Sequence, residues 1–373
     1  MKKVIVFYGS NEAFEKIIPS SYRNLSNVAM RLDDAGKVTR VIHDVPGYDK
    51  IEPPKPRKLK IKDFVISADE YSSVQEHVII NFTDFMGKLS VTNMYVQNPP
   101  KNVFKQIKRL YERYGIIDIQ YQRYNCVNEE LIRKINNEYS SRIMGQNHVK
   151  NELLKALYPL INGKQEKPVV VLLYGKTGLG KTETAQFIAE LLEGNLFRKQ
   201  LSMYQNGEFA NYLFGGKYNE KSFAKDLLGR DSNVILLDEF DKANSIFHSA
   251  FYQLFDEGIY EDQNYKVDVK HGIIICTSNY LSIDEVKEKL GAPIYNRFDA
   301  VIKFDELSED AKVQIAADYL KEISETIPPE LDKDRLFMLV KKLNNAREIQ
   351  HLIRDSVSLI EIRKICENEM QEQ

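Results

Sequence analysis

Hydrophobic and polar positions divide the chain into two regimes. Over residues 1–125, short apolar runs at 4–8, 38–45, 63–68, 77–82, 90–97 and 116–121 read as strands separated by turns. Helical spacing occurs at 21–34 and 99–114, where Pro99 and Pro100 suit a helix N-terminus. This part is expected to be an α+β recognition or docking domain without catalysis of its own. From about residue 128 the spacing becomes helical, broken by continuous apolar runs at 169–173, 233–237 and 272–276. Such runs suit strands buried on both faces of a parallel sheet. A short strand near 197–201, an irregular stretch at 204–218, helices at 222–228 and 245–255 and a hairpin before 272 complete this region. A further strand is expected at 300–304. Beyond it, helices are expected at 311–324 and, after Pro328 and Pro329, at 331–343. The last follows Asn345, with Ile349, Leu352, Ile353, Val357 and Ile360 on one face. The expected division is 1–125, 126–305 and 306–373, an α/β core followed by a helical segment.

Composition narrows the function classes. With 373 residues and 43% hydrophobic content there is material for two or three packed units. A net charge of −2 argues against a strongly basic nucleic-acid binder taken as a whole. The segment 52–62, EPPKPRKLKIK, is the basic exception and reads as an exposed loop, with nucleic acid or an acidic surface as possible partners. No apolar run is long enough for a membrane helix, and the N-terminal run is too short for a signal peptide. Cys126, Cys276 and Cys366 show no metal-ligand spacing. The expectation is a reduced, soluble, cytoplasmic chain with no membrane partner.

The chemistry concentrates in 169–182, VVVLLYGKTGLGKT. A buried strand feeds the glycine-rich turn Gly175, Lys176, Thr177, Gly178, Leu179, Gly180, then Lys181, Thr182 and Glu183 at a helix start. This is G-x-x-x-x-G-K-[ST] in its strand–loop–helix setting, where backbone N–H groups and a helix N-terminus cradle phosphates. Lys181 is expected on the β- and γ-phosphates and Thr182 on Mg²⁺. The strand at 233–237 ends in Asp238 and Glu239, suited to holding Mg²⁺ and polarising an attacking water respectively. Asn279, at the end of the strand at 272–276, can orient that water. Arg347 opens a helix, where a cation is unfavourable for the dipole, and so points to an anion.

These motifs resemble an AAA+ ATPase module, and within that family the second ATPase ring of the ClpA/ClpB class of protein unfoldases. The matching text is IMGQ (143–146), GKTGLGKT (175–182), VILLDEFDKA (234–243), LFDEGIYED (254–262), TSN (277–279), YNRFD (295–299) and NAREIQHLI (345–353). The resemblance implies an AAA+ P-loop fold with a C-terminal helical lid, ATP and Mg²⁺ as cofactors, and a homo-oligomeric, hexameric ring. It places Ile143 and Met144 at the adenine, makes Lys181 and Thr182 Walker A, Asp238 and Glu239 Walker B, and Asn279 sensor 1. Arg297 matches the arginine finger acting on the neighbouring subunit, and Arg347 matches sensor 2. It further implies remodelling of a protein client chosen by 1–125. The alternative is a nucleotide-gated assembly or regulatory ATPase, on an effector or nucleic acid, without threading. The pore loop departs from the family: LFGGKYNEKSF (213–223) offers only Tyr218 as a pore aromatic.

Overall fold

The computed structural model describes residues 1–43, 58–203, 208–243 and 245–371. The chain divides into two compact units that are not contiguous in sequence. The first comprises Met1–Tyr124, Asn206–Asp231 and Ile259–Asp268, and the second Asn125–Gln205, Ser232–Gly258 and Val269–Gln373. The two inserted segments lie in the stretch expected to belong wholly to the ATPase core.

The first unit is built on a five-stranded sheet. Its strands are β1 (Lys3–Tyr8), β2 (Arg23–Asn24), β3 (Leu59–Ile66), β4 (Leu89–Gln97) and β5 (Ile117–Tyr121), in the order β2-β3-β4-β1-β5. All neighbours pair parallel, so this unit is a parallel α/β layer and not the α+β unit expected. Val4, Val6, Phe64, Ile66, Met94 and Val96 are buried in one core with Val103 and Ile107 of the helix Lys101–Tyr111. Period-two spacing puts the strand residues on one face, and burying each contributes roughly 1.5–3 kcal/mol.

Two expected strands are helices. The run at 77–82 forms the helix Glu76–Ile80 and its continuation. Val78, Ile79 and Phe82 are buried at i, i+1 and i+4, the spacing of a helix face. Residues 38–43 belong to the helix Leu25–His43, and 44–45 lie outside the described residues. A distant carboxylate starts that helix: buried Glu70 accepts from the backbone N–H groups of Leu25 at 3.1 Å and Ser26 at 3.2 Å. Of the basic loop expected at 52–62, residues 52–57 lie outside the described residues. Leu59 and its successors form β3 instead.

The second unit carries β6 (Val169–Tyr174), β7 (Phe197–Gln200) and β8 (Val234–Asp238). The hairpin β9 (Ile259–Glu261) and β10 (Lys266–Asp268) belongs to the first unit, and β11 (Ile273–Ser278) and β12 (Ala300–Lys303) return to the second. The second sheet is parallel throughout, in the order β12-β6-β11-β8-β7. β6, β8 and β11 are buried along their whole length, as their unbroken apolar runs require. The helices Glu309–Glu322, Lys333–Val340 and Ala346–Gln371 follow, with a core of their own around Ala316, Leu320, Leu336, Val340, Ile349 and Ile353. Among the described residues no helix is long and apolar enough to cross a membrane.

Candidate active site

The second sheet brings three strand ends together. β11 lies between β6 and β8, so the loop after β6, the Asp238–Glu239 pair after β8 and Asn279 after β11 meet at one sheet edge. This is where open α/β sheets bind ligands.

The loop after β6 is shaped by glycines whose positive φ and close neighbours leave little room for a side chain. Gly175 has φ +135°, and a Cβ there would lie 2.6 Å from the Phe304 carbonyl oxygen. Gly178 has φ +76°, and a Cβ would meet the Asn345 side chain at 2.9 Å. The loop thus presents bare backbone and runs into the helix Lys181–Leu191, whose N-terminus carries positive dipole charge. Lys181 Nζ donates to the carbonyls of Gly175 at 2.6 Å and Lys176 at 2.8 Å, and to Asn279 Oδ1 at 3.2 Å. Burial pushes the Lys181 ammonium down to about 8, while Asp241 and Asp238 oppose that shift. A buried cation whose present partners are neutral oxygens is suited to receive an anion.

The carboxylate pair is held from two sides. Asp238 Oδ1 accepts from the Thr277 hydroxyl at 2.5 Å, and Oδ2 accepts from Arg198 Nε at 3.0 Å. Glu239 sits at φ +55°, its N–H donating to Thr277 Oγ1 at 2.9 Å. Its carboxylate accepts from Gln200 Nε2 at 3.0 Å, and hydrogen bonds from Ser202 and Gln200 hold it below the usual carboxylate range. Arg198, Gln200 and Ser202 were not among the residues expected here. For Arg198 and Gln200 the signal is strand spacing in β7, which sets both on one face. Asp241, also unexpected, is buried beside Lys242 at 3.0 Å, and its Oδ1 has no partner among the described residues.

The remaining expected residues frame this cluster. Buried Ile143 lies 3.1 Å from where a Gly180 Cβ would stand. The IMGQ turn is pinned through Gln146, which exchanges hydrogen bonds with the Asp305 backbone at 2.8 and 3.1 Å. Met144 follows Ile143 in this turn, half-buried. Thr177 is exposed on the loop, Leu179 is buried beneath it, and Thr182 is half-buried in the helix's first turn. Glu183 is taken by Arg142, whose Nε lies 2.6 Å away. The Ala346 N–H donates to the Gly178 carbonyl at 3.2 Å, so the last helix starts against the phosphate loop, with exposed Arg347 in its first turn. Two residues stand apart. Arg297 pairs with Asp256 at 2.9 Å and lies over the Tyr252 ring at 4.0 Å. Tyr218, expected as a pore aromatic, is half-buried against the core of the first unit.

The donor set fits a nucleoside triphosphate: bare loop backbone, a helix N-terminus, a buried lysine and a carboxylate pair. Fold and site therefore define a P-loop nucleotide-binding protein. Residues 166–336 match the family described as AAA domain (Cdc48 subfamily). The chain is 32% identical over 163 residues to the AAA+ ATPase ClpV1 of Pseudomonas aeruginosa, covering 40% of this chain and 18% of that protein. It is 26% identical over 279 residues to the chaperone protein ClpB of Mycoplasmoides gallisepticum, covering 65% of this chain and 38% of that one. Its fold is similar to Hsp104 in a closed state with ATPγS and FITC casein, with a TM-score of 0.56 at 15% identity, covering 98% of this chain and 89% of that one. The chain carries an AAA+ ATPase module resembling the second module of the Clp proteins, and it spans well under half the length of these curated relatives.

Proposed function

We propose that this chain is a ring-forming AAA+ protein of the cytoplasm that hydrolyses Mg·ATP to remodel or unfold a protein partner recognised through its first unit. The observation that carries the reading is the Lys181–Asn279 hydrogen bond at 3.2 Å, which joins the phosphate loop to the strand end beside Asp238 and Glu239. Around it, Thr182 and Asp238 supply the oxygens for Mg²⁺, which characteristically takes one or two protein ligands plus substrate phosphates. Lys181 holds the terminal phosphates, and Glu239, with Asn279, orients the attacking water. Among the described residues Arg297 is held by Asp256 and Tyr252 and not by this cluster, which supports a role across a subunit boundary in a hexamer. Arg347 starts the helix that abuts Gly178, so the helical lid can respond to the nucleotide beside it.

A second reading is a nucleotide-gated switch that regulates or assembles an effector or nucleic-acid complex. The packing of Tyr218 against the first unit favours it, because an aromatic so placed must leave its core before it grips a threaded chain. One experiment separates the two. Glu239→Gln should bind ATP and hydrolyse it very slowly, and it would be purified from its own cells with ATP and analysed by mass spectrometry, with a nuclease-treated control. A stoichiometric protein released on ATP washout supports the remodeller. Nucleic acid without a protein partner overturns it in favour of the switch.

A further inference from the structure

The carboxylate assigned to Mg²⁺ already has a cation. Arg198 approaches Asp238 with two groups, Nε at 3.0 Å and Nη2 at 2.5 Å, both on Oδ2, while the Thr277 hydroxyl takes Oδ1. The parallel register sets Arg198 opposite Leu236, so its side chain rises on the face of β8 that carries Asp238. The Asp238 side chain is 8% exposed and that of Arg198 is 49% exposed. The anion is fixed within the site, and the guanidinium reaches it from the solvent side with room to withdraw.

We propose that Arg198 is the resident counter-ion of Asp238, and that Mg²⁺ gains this carboxylate by competing with it. The inference rests on the nucleotide reading of the site. A buried carboxylate with no partner is costly. Arg198 pairs with Asp238 and fixes its orientation before any metal arrives. If Asp238 holds Mg²⁺, the guanidinium already on its Oδ2 would compete for that carboxylate and would have to yield. Nucleotide alone brings negative charge and gives Arg198 no reason to leave, whereas Mg·nucleotide brings the competitor. Arg198 is thus a positioning residue that makes tight binding conditional on the metal, and it keeps the resting site from collecting free divalent ions.

The test uses the full chain and a fluorescent ATP analogue, titrated with Mg²⁺ from a metal-chelated start. The readout is the Mg²⁺ concentration giving half of the metal-dependent gain in binding. Arg198→Gln is expected to lower that concentration by about tenfold, the scale of one charge-assisted contact. Arg198→Lys should return it most of the way to wild type, because an ammonium can occupy the same oxygen. Arg198→Met serves if the glutamine variant folds poorly, and a general loss of fold would not lower the half-effect concentration. An unchanged or raised concentration in both neutral variants overturns the proposal, since Arg198 would then assist the metal. Failure of wild type to bind the analogue at any Mg²⁺ concentration overturns the nucleotide reading itself, and this proposal with it.

Discussion

The Gln200 side chain donates to the Glu239 carboxylate at 3.0 Å, from a strand that contributes nothing to the phosphate loop. Glu239 is therefore restrained: Ser202 and Gln200 stabilise its charged form and weaken it as a base. Replacing Gln200 with Ala should raise basal ATP turnover by up to about tenfold, because a side-chain hydrogen bond to a charged group contributes roughly 1.5–3 kcal/mol. Steady-state phosphate release at saturating Mg·ATP measures this. Slower turnover would mean that Gln200 positions Glu239 for the reaction.

Arg297 pairs with Asp256 and lies over Tyr252, neither of which belongs to the nucleotide cluster. Arg297→Ala should lower turnover by roughly 10³ or more while nucleotide still binds, the scale of a finger supplied to a transferring phosphoryl group. Wild-type specific activity should rise with protein concentration as rings form. If Arg297→Ala turns over normally, its bond to Asp256 is its whole purpose.

Gly178 lies against the start of the last helix: its carbonyl accepts from the Ala346 N–H at 3.2 Å. Gly178→Ala places a Cβ 2.9 Å from Asn345 at a φ that L-residues rarely adopt. Such strain costs on the order of 1–3 kcal/mol, so ATP affinity should fall by about tenfold or more. Asn345→Gly in the same chain should recover part of the loss, since it removes the steric half of the problem. Equilibrium binding of labelled nucleotide to the single and double variants decides it.

The first unit depends on segments far along the chain. Lys101 N–H donates to the Asn264 carbonyl at 2.7 Å, and Lys225 Nζ to the Ser72 hydroxyl at 2.8 Å. Tyr212, Phe223, Tyr260 and Tyr265 are buried within this unit. A chain beginning at residue 125 should therefore expose apolar surface, bind a hydrophobic dye and aggregate. Light scattering and dye fluorescence against the full chain report the outcome, and a monodisperse, dye-silent fragment would contradict it.

Much of the nucleotide module was legible because its signals are local. β6, β8 and β11 are unbroken apolar runs, and the glycines and Lys181 between strand and helix announce themselves within one short stretch. What escaped reading acts at a distance. The helix at Leu25 is started by Glu70, forty-odd positions away in sequence, and its later valines read as strand without that knowledge. The strand expected near 197–201 is β7, but nothing in FRKQ tells that it pairs with β8 and so delivers Arg198 and Gln200 to the carboxylate pair. Tyr218 has the sequence neighbours of a pore aromatic, and its packing against the first unit could not be read from them.

The path of the chain also constrains how this protein is made. It passes from one unit to the other after Tyr124, Gln205, Asp231, Gly258 and Asp268. Domains commonly fold in turn as they leave the ribosome, the N-terminal one first. Here the leading unit cannot be completed until the hairpin ending at Asp268 has been synthesised, after β6, β7 and β8 of the other unit have already emerged. The two units must mature together during translation.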